Sequence, residues 1–563
     1  MMRQKKMFWM SAAIIAVLTS CSGFKMGELT SDNFKVMPNP LEVEQGQVKA
    51  TVNGIFPEKF MDKNAKVMIY PELRYTKDGA QQTKSASPAT FIGEKVVGND
   101  QTISYKDGGY YTMKATFDYE PAMQQSELWM RAEAYNKDKK YELPAVKVAQ
   151  GVLATSELYH QTLTTAQPSM ASDSYQRVIA QKQEANIKFL IQQAELRKSE
   201  LKNNSVQEFV NLLQRISADR EGMNLKNVEV SAYASPDGGF ALNEKLANKR
   251  QQNTETYVKD QLKKSGVDGD VEASYTAQDW EGFQQLVQTS DIQDKDVIVR
   301  VLSMYKDPQE REQQIKNMSH GFKELADGIL PQLRRSRLII NYETVGRSDQ
   351  QILEQLKSDP KKLSIEELLY AASLMKTNSE KEEVYKTATT CYPNDSRSYN
   401  NLAALAYSQG NYSQAQQMLN KAATLNGSSA EVNANKGLLA LQQGDAKTAE
   451  MLISKAAAAD NVKETIGNLH LAQGNYAQAE KDFEGVNSNS AALTQIMNKN
   501  YAKAAQTLQN VQQPNGMTDY LKAIISARQG NKEEAARYLN SALQKDPSLK
   551  AYAEKDIELG GTK

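Results

Sequence analysis

The chain has 563 residues, which is too many for one hydrophobic core and predicts several domains. It carries 68 Lys and Arg residues against 68 Asp and Glu residues, so its formal net charge is zero. Because a surface that neutralises phosphates needs an excess of cations, this balance argues against nucleic acid as a partner. The two cysteines, Cys21 and Cys391, are too far apart to indicate a disulfide framework.

The first residues of the chain, 1–20, are typical of a secretory signal. Basic residues at positions 3, 5 and 6 precede an apolar stretch, residues 7–18, which is too short to span a bilayer as an ordinary membrane helix. The next residues read Leu-Thr-Ser-Cys and end at Cys21, a series that resembles the lipobox of bacterial lipoproteins. The resemblance implies cleavage before Cys21 and its acylation, which would anchor the protein in outer-membrane lipid. An ordinary signal with a coincidental cysteine is the alternative.

The residues that follow Cys21 bear on the orientation of the anchored protein. Residues 22–28 lack the acidic cluster that resembles a surface-export signal in lipoproteins of Bacteroides-like bacteria. We therefore expect an outer-membrane lipoprotein that faces the periplasm.

From residue 41 to residue 151, apolar and polar residues alternate, which is the period of strands. Turn sequences rich in Gly, Asp and Asn, such as Asp78-Gly79, separate the alternating stretches. At least six antiparallel strands at this spacing predict a β-sandwich over residues 21–151.

Three aromatic residues in this module, Tyr110, Tyr111 and Trp129, allow two interpretations. Either they form a platform for carbohydrate, or they pack within the sheets. The first interpretation leads to an alternative function, in which the protein is a surface-exposed, glycan-binding or fimbria-related lipoprotein that acts through its β-module.

Within residues 152–345, after a linker rich in Ser, Thr and Gln, candidate strands and helices alternate in the order β-α-β-α-β-α-β. A helical stretch is expected over residues 280–326. At the centre lies SAYASPDGGFALNEKLANKRQQNTETYVKDQL, in which Leu246 is three residues after Asn243 and four before Arg250. The stretch resembles the OmpA-like domain, whose helix opens with this pattern.

The resemblance implies that this domain contacts peptidoglycan. In the family, an Asp and the Arg together bind the amine and the carboxylate of a diaminopimelate side chain, and a zwitterion does require one anion and one planar cation. Here Ser235 occupies the position expected for the Asp, and Asp237 is the candidate to replace it. The alternative is that Asn243 caps the helix, Arg250 makes a surface ion pair, and the domain docks protein only.

After a linker, residues 346–361, the chain repeats itself over residues 362–563. Residues 396–429 align with residues 430–463 at a shift of 34, so that small residues coincide. Helices approach closely only where Ala or Gly lies at their crossing, so the pattern predicts about six helix pairs in an all-α solenoid. It resembles the tetratricopeptide repeat, whose signature positions here are Tyr399, Leu402, Ala403, Gly410, Tyr412, Ala415, Leu419 and Ala422.

Such a solenoid offers a concave surface to protein segments, which makes its polar helix starts candidate binding residues. Arg397, Asn400 and Asn401 open one repeat helix and are suited to contacts with a backbone or a carboxylate. A solvated edge is the alternative.

No catalytic, cofactor or metal site is expected. The three histidines lie in different neighbourhoods, and no HExxH, CxxC, GxSxG or P-loop motif occurs. The sequence thus predicts a multidomain, non-enzymatic scaffold whose partners are the outer-membrane proteins of an assembly or secretion complex. Its parts are a β-sandwich, an α/β domain similar to OmpA and a tetratricopeptide solenoid, and combinations of this kind resemble Bacteroides-type lipoproteins.

Overall fold

A computed structural model describes residues 26–292, 295–317 and 324–560. The predicted lipidation site, Cys21, lies outside them. The chain forms two compact units: the first joins residues up to 172 with residues from 377 onward, and the second contains residues 173–376. In the part of the chain that is described, no helix is long and apolar enough to cross a membrane.

The first unit begins with a β-sandwich. One sheet has the strand order β11-β1-β2-β7, and the other has the order β10-β8-β3-β5-β6, with β4 beside β3 and β9 beside β8. The pairs β1–β11 and β5–β6 are parallel, and the others are antiparallel. The strands are β1 (Phe34–Glu44), β2 (Gln47–Phe56), β3 (Lys66–Lys77), β4 (Ala80–Ser85), β5 (Ala89–Gly93), β6 (Gln101–Ile103), β7 (Gly109–Asp118), β8 (Glu127–Asn136), β9 (Lys139–Glu142), β10 (Val146–Gln150) and β11 (Val152–Leu153).

The apolar residues of both sheets enclose one core, as the alternating pattern requires. Four aromatic rings lie in it, Phe56, Phe60, Phe91 and Tyr111, with neighbouring centroids 4.7 to 5.1 Å apart. The β-rich N-terminal region is therefore confirmed. The first strand, β1, begins seven residues before the predicted onset of alternation at residue 41, because the proline-containing stretch PNP in its middle interrupts the pattern and shifts the register.

The first unit is helical from residue 378, and the ten helices of residues 396–545 form five pairs. Within each pair a tight turn places one residue in the left-handed region, for example Gly410 at a φ of +75° and Gly444 at +79°. Ala415 and Ala449 are completely buried, as expected at close helix crossings. The all-helical C-terminal region is confirmed. Its helices are Asn378–Cys391, Ser396–Ser408, Tyr412–Leu425, Ala430–Gln442, Ala446–Ile453, Val462–Ala472, Tyr476–Asp482, Asn489–Met497, Tyr501–Gln509, Gly516–Arg528, Lys532–Lys545 and Lys550–Ala553.

The sandwich and the helices of the first unit are joined near the C-terminus. The Tyr552 hydroxyl donates to the Ala154 carbonyl at 2.8 Å, and Thr155 Oγ1 donates to the Glu558 carboxylate at 2.7 Å. Glu558 also pairs with Arg528 of the last repeat. These contacts hold the start of the chain segment that follows β11 against the repeats.

The second unit is built on a four-stranded sheet with the order β12-β15-β13-β14. Strands β13 and β14 are parallel, and the other pairs are antiparallel. Two helices, Asn204–Ala218 and Phe240–Ser265, pack on the sheet through buried residues such as Phe209 and Val258. The strands are β12 (Val178–Lys188), β13 (Met223–Tyr233), β14 (Asp270–Thr276) and β15 (Arg335–Val345).

The helical stretch predicted after β14 consists of several short helices, which are Trp280–Thr289, Lys295–Met304, Pro308–Asn317 and Leu330–Leu333. The predicted linker at 346–361 contains the helix Asp349–Ser358, begun by a capping box of Ser348 and Gln351. The compact units accordingly divide at residues 172 and 376, whereas the sequence placed domain boundaries at 151, 345 and 361.

Candidate functional site

Three asparagines are buried on the first helices of two successive repeats, and we call them the asparagine row. Asn400 and Asn401 lie on the helix Ser396–Ser408, and Asn435 lies on the helix Ala430–Gln442. Each is at most 4% exposed. Asn401 and Asn435 are 34 residues apart, so they occupy equivalent places in two repeats. Buried amides need hydrogen-bond partners, and the chain itself supplies them.

The partner is a segment of the same chain, residues 155–171, which we call the groove segment. The repeat groove is the surface of the repeat helices that this segment contacts, from Asn401 to Ser490. Asn435 Oδ1 accepts from the Ser169 N–H at 2.7 Å, and its Nδ2 donates to the Ser169 carbonyl at 2.8 Å. Asn401 binds Ala171 in the same way, at 2.7 and 3.1 Å. Alternate residues of an extended chain present their groups to the same side. Two asparagines one repeat apart therefore bind residues two apart.

Asn400 joins these two interactions into one network. Its Nδ2 donates to the Ser169 carbonyl at 3.0 Å, and its Oδ1 accepts from Asn435 Nδ2 at 3.0 Å. The Ser169 carbonyl thus receives two donors, and the Ser169 hydroxyl donates in turn to the Asp460 carbonyl. All of these groups are neutral, so binding at this place requires no charge on the bound segment.

The upstream half of the groove segment is held by apolar packing instead. Leu158 and Leu163 are 1% exposed and belong to the hydrophobic cores of the repeats. The Tyr407 hydroxyl donates to the Leu163 carbonyl at 2.9 Å, and Ser490 contacts Thr162 at 2.9 Å. The groove segment is therefore anchored by side chains near residue 160 and by its backbone near residue 170.

One acidic residue of the next repeat faces the same groove. Glu464 is buried, and burial raises the pKa of its carboxyl to about 7, although hydrogen bonds from the Gln167 backbone and from Ser488 partly oppose this. Within the described residues, Glu464 Oε1 and Asn468 Oδ1 have no hydrogen-bond partner. The groove therefore carries acceptors beyond those that the groove segment uses.

Of the three predicted partner-binding residues, the structure brings Asn400 and Asn401 together on the groove segment. Arg397 instead pairs with Asp395, the capping residue of its own helix, at 2.8 Å. Sequence reasoning missed Asn435 and the groove segment. The recurrence of Asn at a spacing of 34 residues, from Asn401 to Asn435, is the signal that could have identified the former.

The predicted peptidoglycan-binding arginine of the second unit, Arg250, is completely buried. Its guanidinium donates to the carbonyls of Leu190, Gln193 and Tyr233 at 2.8 to 3.2 Å and lies over the Phe189 ring. Burial lowers the pKa of Arg250 to about 10, since low polarity disfavours the charged form. The expected surface ion pair of Arg250 is not what the structure shows.

The two other candidates, Asp237 and Asn243, lie near Arg250 but bond to other groups. Asp237 pairs with Arg334 at 3.0 Å and accepts from the Ser235 hydroxyl. Asn243 Nδ2 donates to the carbonyls of Ser235 and Gly238, both at 2.9 Å, so it fixes the loop before its helix. It is not the cap, because the helix begins at Phe240. Asp237 and Arg250 are not a hydrogen-bonded pair in this structure.

The three aromatics of the sandwich do not form one surface. Tyr111 is buried between Phe56 and Phe91, whereas its neighbour Tyr110 is exposed. Trp129 lies on β8 in the other sheet, where Arg74 covers its ring at 4.7 Å.

In the portions of the chain described here, no group of three His, Cys, Asp or Glu residues is arranged to hold a metal ion.

Comparison with known families identifies one part of the chain. Residues 384–417 match the tetratricopeptide repeat family. No curated protein matches the chain. With the helix pairs described above, the match shows that the C-terminal region contains tetratricopeptide repeats, an architecture that serves as a scaffold for protein–protein interaction.

The solved structures that the chain matches are similar to it only at low identity. A tetratricopeptide repeat protein from Parabacteroides merdae is 17% identical over 44% of this chain and 98% of its own, with a TM-score of 0.29. Pseudomonas aeruginosa pilF is 19% identical over 37% of this chain and 95% of its own, with a TM-score of 0.26. Yeast Tom70 is 12% identical over 65% and 83%, with a TM-score of 0.25.

Proposed function

We propose that this protein is an interaction scaffold whose repeat groove binds extended segments of partner proteins through their backbone. The observation that carries the proposal is that Asn401 and Asn435 each bind both backbone groups of one residue. Recognition of N–H and C=O groups gives affinity for an extended chain, and pockets for alternate side chains give specificity.

We further propose that the scaffold acts at the periplasmic face of the outer membrane, anchored by lipid on Cys21, and that its partners belong to an assembly or secretion complex. The charged, apolar and Leu-Thr-Ser-Cys series at the N-terminus supports the anchor. Substitution Cys21→Ala should give an unprocessed or soluble form that is lost from the outer-membrane fraction. Unchanged partition and unchanged mass would contradict the anchor. Digestion of the repeats by protease added to intact cells would favour the surface-exposed alternative.

A peptidoglycan contact by the second unit stays a prediction that rests on the OmpA-like resemblance. The guanidinium of Arg250 would have to leave three carbonyl groups before it could bind a stem peptide. For that reason we assign partner binding to the repeat groove. Binding of the full chain to purified sacculi tests the contact directly, and no binding by the wild type would leave the second unit as a protein-docking module.

Chemical crosslinking in cells, followed by affinity purification, tests the partner-binding function. The double substitution Asn401→Ala/Asn435→Ala should lower recovery of crosslinked partners at least tenfold, since it removes four backbone hydrogen bonds. Asn420→Ala is the matched control, because Asn420 is exposed on the next helix and its side chain accepts from Gln416 on the same helix. Equal recovery from both variants would show that partners bind elsewhere.

A further inference from the structure

The groove is already filled by the chain's own residues, and this has consequences for how a partner enters. We propose that residues 166–171 are an intramolecular occupant of the repeat groove, which a partner segment of similar chemistry displaces. The inference rests on the proposed function, because it assumes that the groove can bind a segment in trans.

The contacts of the occupant are of a kind that another chain can reproduce. Asn401 and Asn435 bind only the N–H and C=O groups of Ala171 and Ser169. Any residue except proline carries both groups. The Gln167 backbone also bonds Glu464, and any residue except proline carries the same backbone groups. Since the asparagine network itself is neutral, exchange of one segment for another leaves no charge of that network without a partner.

The side chains of the occupant define the class of partner. Ser169 is 1% exposed and Ala171 is 8% exposed, so both positions are closed around small side chains. Gln167, in contrast, is exposed. The segment that fits is therefore extended, with Ser, Ala or Gly at two positions separated by one residue, and with free choice at the residue two before the first of them.

The division of the groove segment into two halves allows the exchange. Leu158 and Leu163 are held by the cores of the repeats, to which residues 166–171 contribute only Ala166. The other buried side chains of that stretch, those of Pro168, Ser169 and Ala171, are small. The downstream half can leave while the upstream half stays in place. A tethered segment has an effective concentration on the order of millimolar, so it occupies most of the grooves. The apparent affinity for a partner is then the intrinsic affinity multiplied by the fraction of grooves that are free.

Peptide titration of the full chain tests the proposal. The probe is a fluorescent peptide with the sequence of residues 165–172, and the comparison is between the wild type and a released variant, Ser169→Pro/Ala171→Pro. Proline removes the two N–H donors, so the tethered segment of the variant no longer competes well. We expect the released variant to bind the peptide at least tenfold more tightly. Gln167→Ala keeps every backbone group and should bind like the wild type.

The outcomes separate the two proposals. Tight binding to the released variant that is lost when Asn401→Ala and Asn435→Ala are added supports both. Equal, asparagine-dependent binding to the wild type and the released variant overturns occlusion and leaves the scaffold function intact. A released variant that binds no peptide overturns the groove as a binding site in trans, and occlusion with it.

A measurement on the wild type alone guards against misfolding of the variant. Hydrogen exchange is followed at the Ser169 and Ala171 amides of the full chain, with and without a saturating, isotopically distinct peptide. Displacement predicts that both amides lose protection at least tenfold. Protection that stays unchanged at saturation overturns the proposal.

Discussion

The repeat groove of the first unit and the Arg250 site of the second unit solve the same problem with different chemistry. In both, a buried polar side chain is satisfied by backbone groups of a distant part of the chain. Asn401 lies 230 residues from Ala171, and Arg250 lies 57 residues from Gln193. In the groove, however, the side chains are neutral amides on rigid helices, whereas Arg250 is a cation that donates to three carbonyls inside a folded domain.

The difference separates a place that can exchange its occupant from one that cannot. An amide that loses one backbone partner can take another of the same kind, at a cost limited to two hydrogen bonds. A buried guanidinium without its carbonyls is an uncompensated charge, which is far more costly. We therefore expect substitutions at Arg250 to affect folding, and substitutions in the asparagine row to affect mainly the groove segment.

The largest effect should follow Arg250→Ala. The substitution removes a donor from three carbonyls, of which that of Leu190 keeps the Gln193 N–H, and it opens a cavity beside Phe189. The second unit should therefore lose about 3–5 kcal/mol of unfolding free energy. Hydrogen exchange over the helix Phe240–Ser265 measures the loss. The exposed neighbour Lys249 provides the control, and Lys249→Ala should change the free energy by less than about 0.5 kcal/mol. A second unit as stable as the wild type would mean that Arg250 is not structural.

The second largest effect concerns the protonation of Glu464, the buried acid of the groove. Because the folded pKa of Glu464 is raised to about 7, the folded state binds more protons than the unfolded state between about pH 4.5 and pH 7. The contribution of Glu464 to the free energy of unfolding is therefore complete below that window. It is lost as the pH rises through the window, by about 3 kcal/mol in total. The substitution Glu464→Gln stays neutral and should remove this part of the slope.

Chemical denaturation of both proteins at pH 5 and pH 8 measures the difference. Asp556, whose pKa is raised to about 6 by burial, titrates in the same range but is present in both proteins, so its contribution cancels. Parallel pH profiles for the wild type and Glu464→Gln would show that Glu464 is not buried as a neutral acid.

The sequence predicted the repeats well because their determinants recur at a fixed spacing. Even the turn that other repeats fill with glycine keeps its left-handed conformation where Lys499 occupies it, at a φ of +64°. The groove segment left no such signal. Its contacts with Asn401 and Asn435 are made by the backbone, which carries no sequence pattern, and these partners are more than 200 residues away.

The same reason explains what the sequence did not reveal about Arg250. Arg250 is four residues after Leu246, which is three residues after Asn243, and this spacing matched a family pattern that implies a ligand. The cage that surrounds it is made of the carbonyls of Leu190, Gln193 and Tyr233, and two of these belong to a loop with no recognisable pattern. Side-chain patterns predict which residues are buried more readily than they predict backbone contacts.

Single substitutions in the asparagine row should have intermediate effects. Asn401→Ala or Asn435→Ala removes the two bonds that the asparagine makes to one residue of the groove segment and leaves the N–H of that residue buried without its acceptor. Protection of residues 166–171 should therefore fall by about 1–3 kcal/mol. Hydrogen exchange of that stretch provides the measurement. Asn420→Ala on the neighbouring helix should leave it unchanged. A fall spread evenly over the whole first unit would show that the groove is part of the fold and not a separable site.

The smallest effect should come from Asn400→Ala. Its size shows whether the asparagine row holds the groove segment by hydrogen bonds or only by packing. Asn400 gives Ser169 one donor, at 3.0 Å, and the same carbonyl keeps the donor of Asn435 at 2.8 Å. No backbone group of the groove segment thus loses its last partner, and protection at Ser169 should fall by only about 0.5–1.5 kcal/mol.

Comparison of Asn400→Ala with Asn401→Ala distinguishes the effect of packing from the effect of hydrogen bonding. The two side chains are adjacent in sequence and equally buried, at 1% and 2% exposure, so a loss of packing would cost the same at both. Hydrogen-bond geometry instead predicts that Asn401→Ala has the larger effect on Ala171, since Asn401 supplies both of its bonds. Equal losses in the two variants would contradict backbone recognition as the basis of the groove.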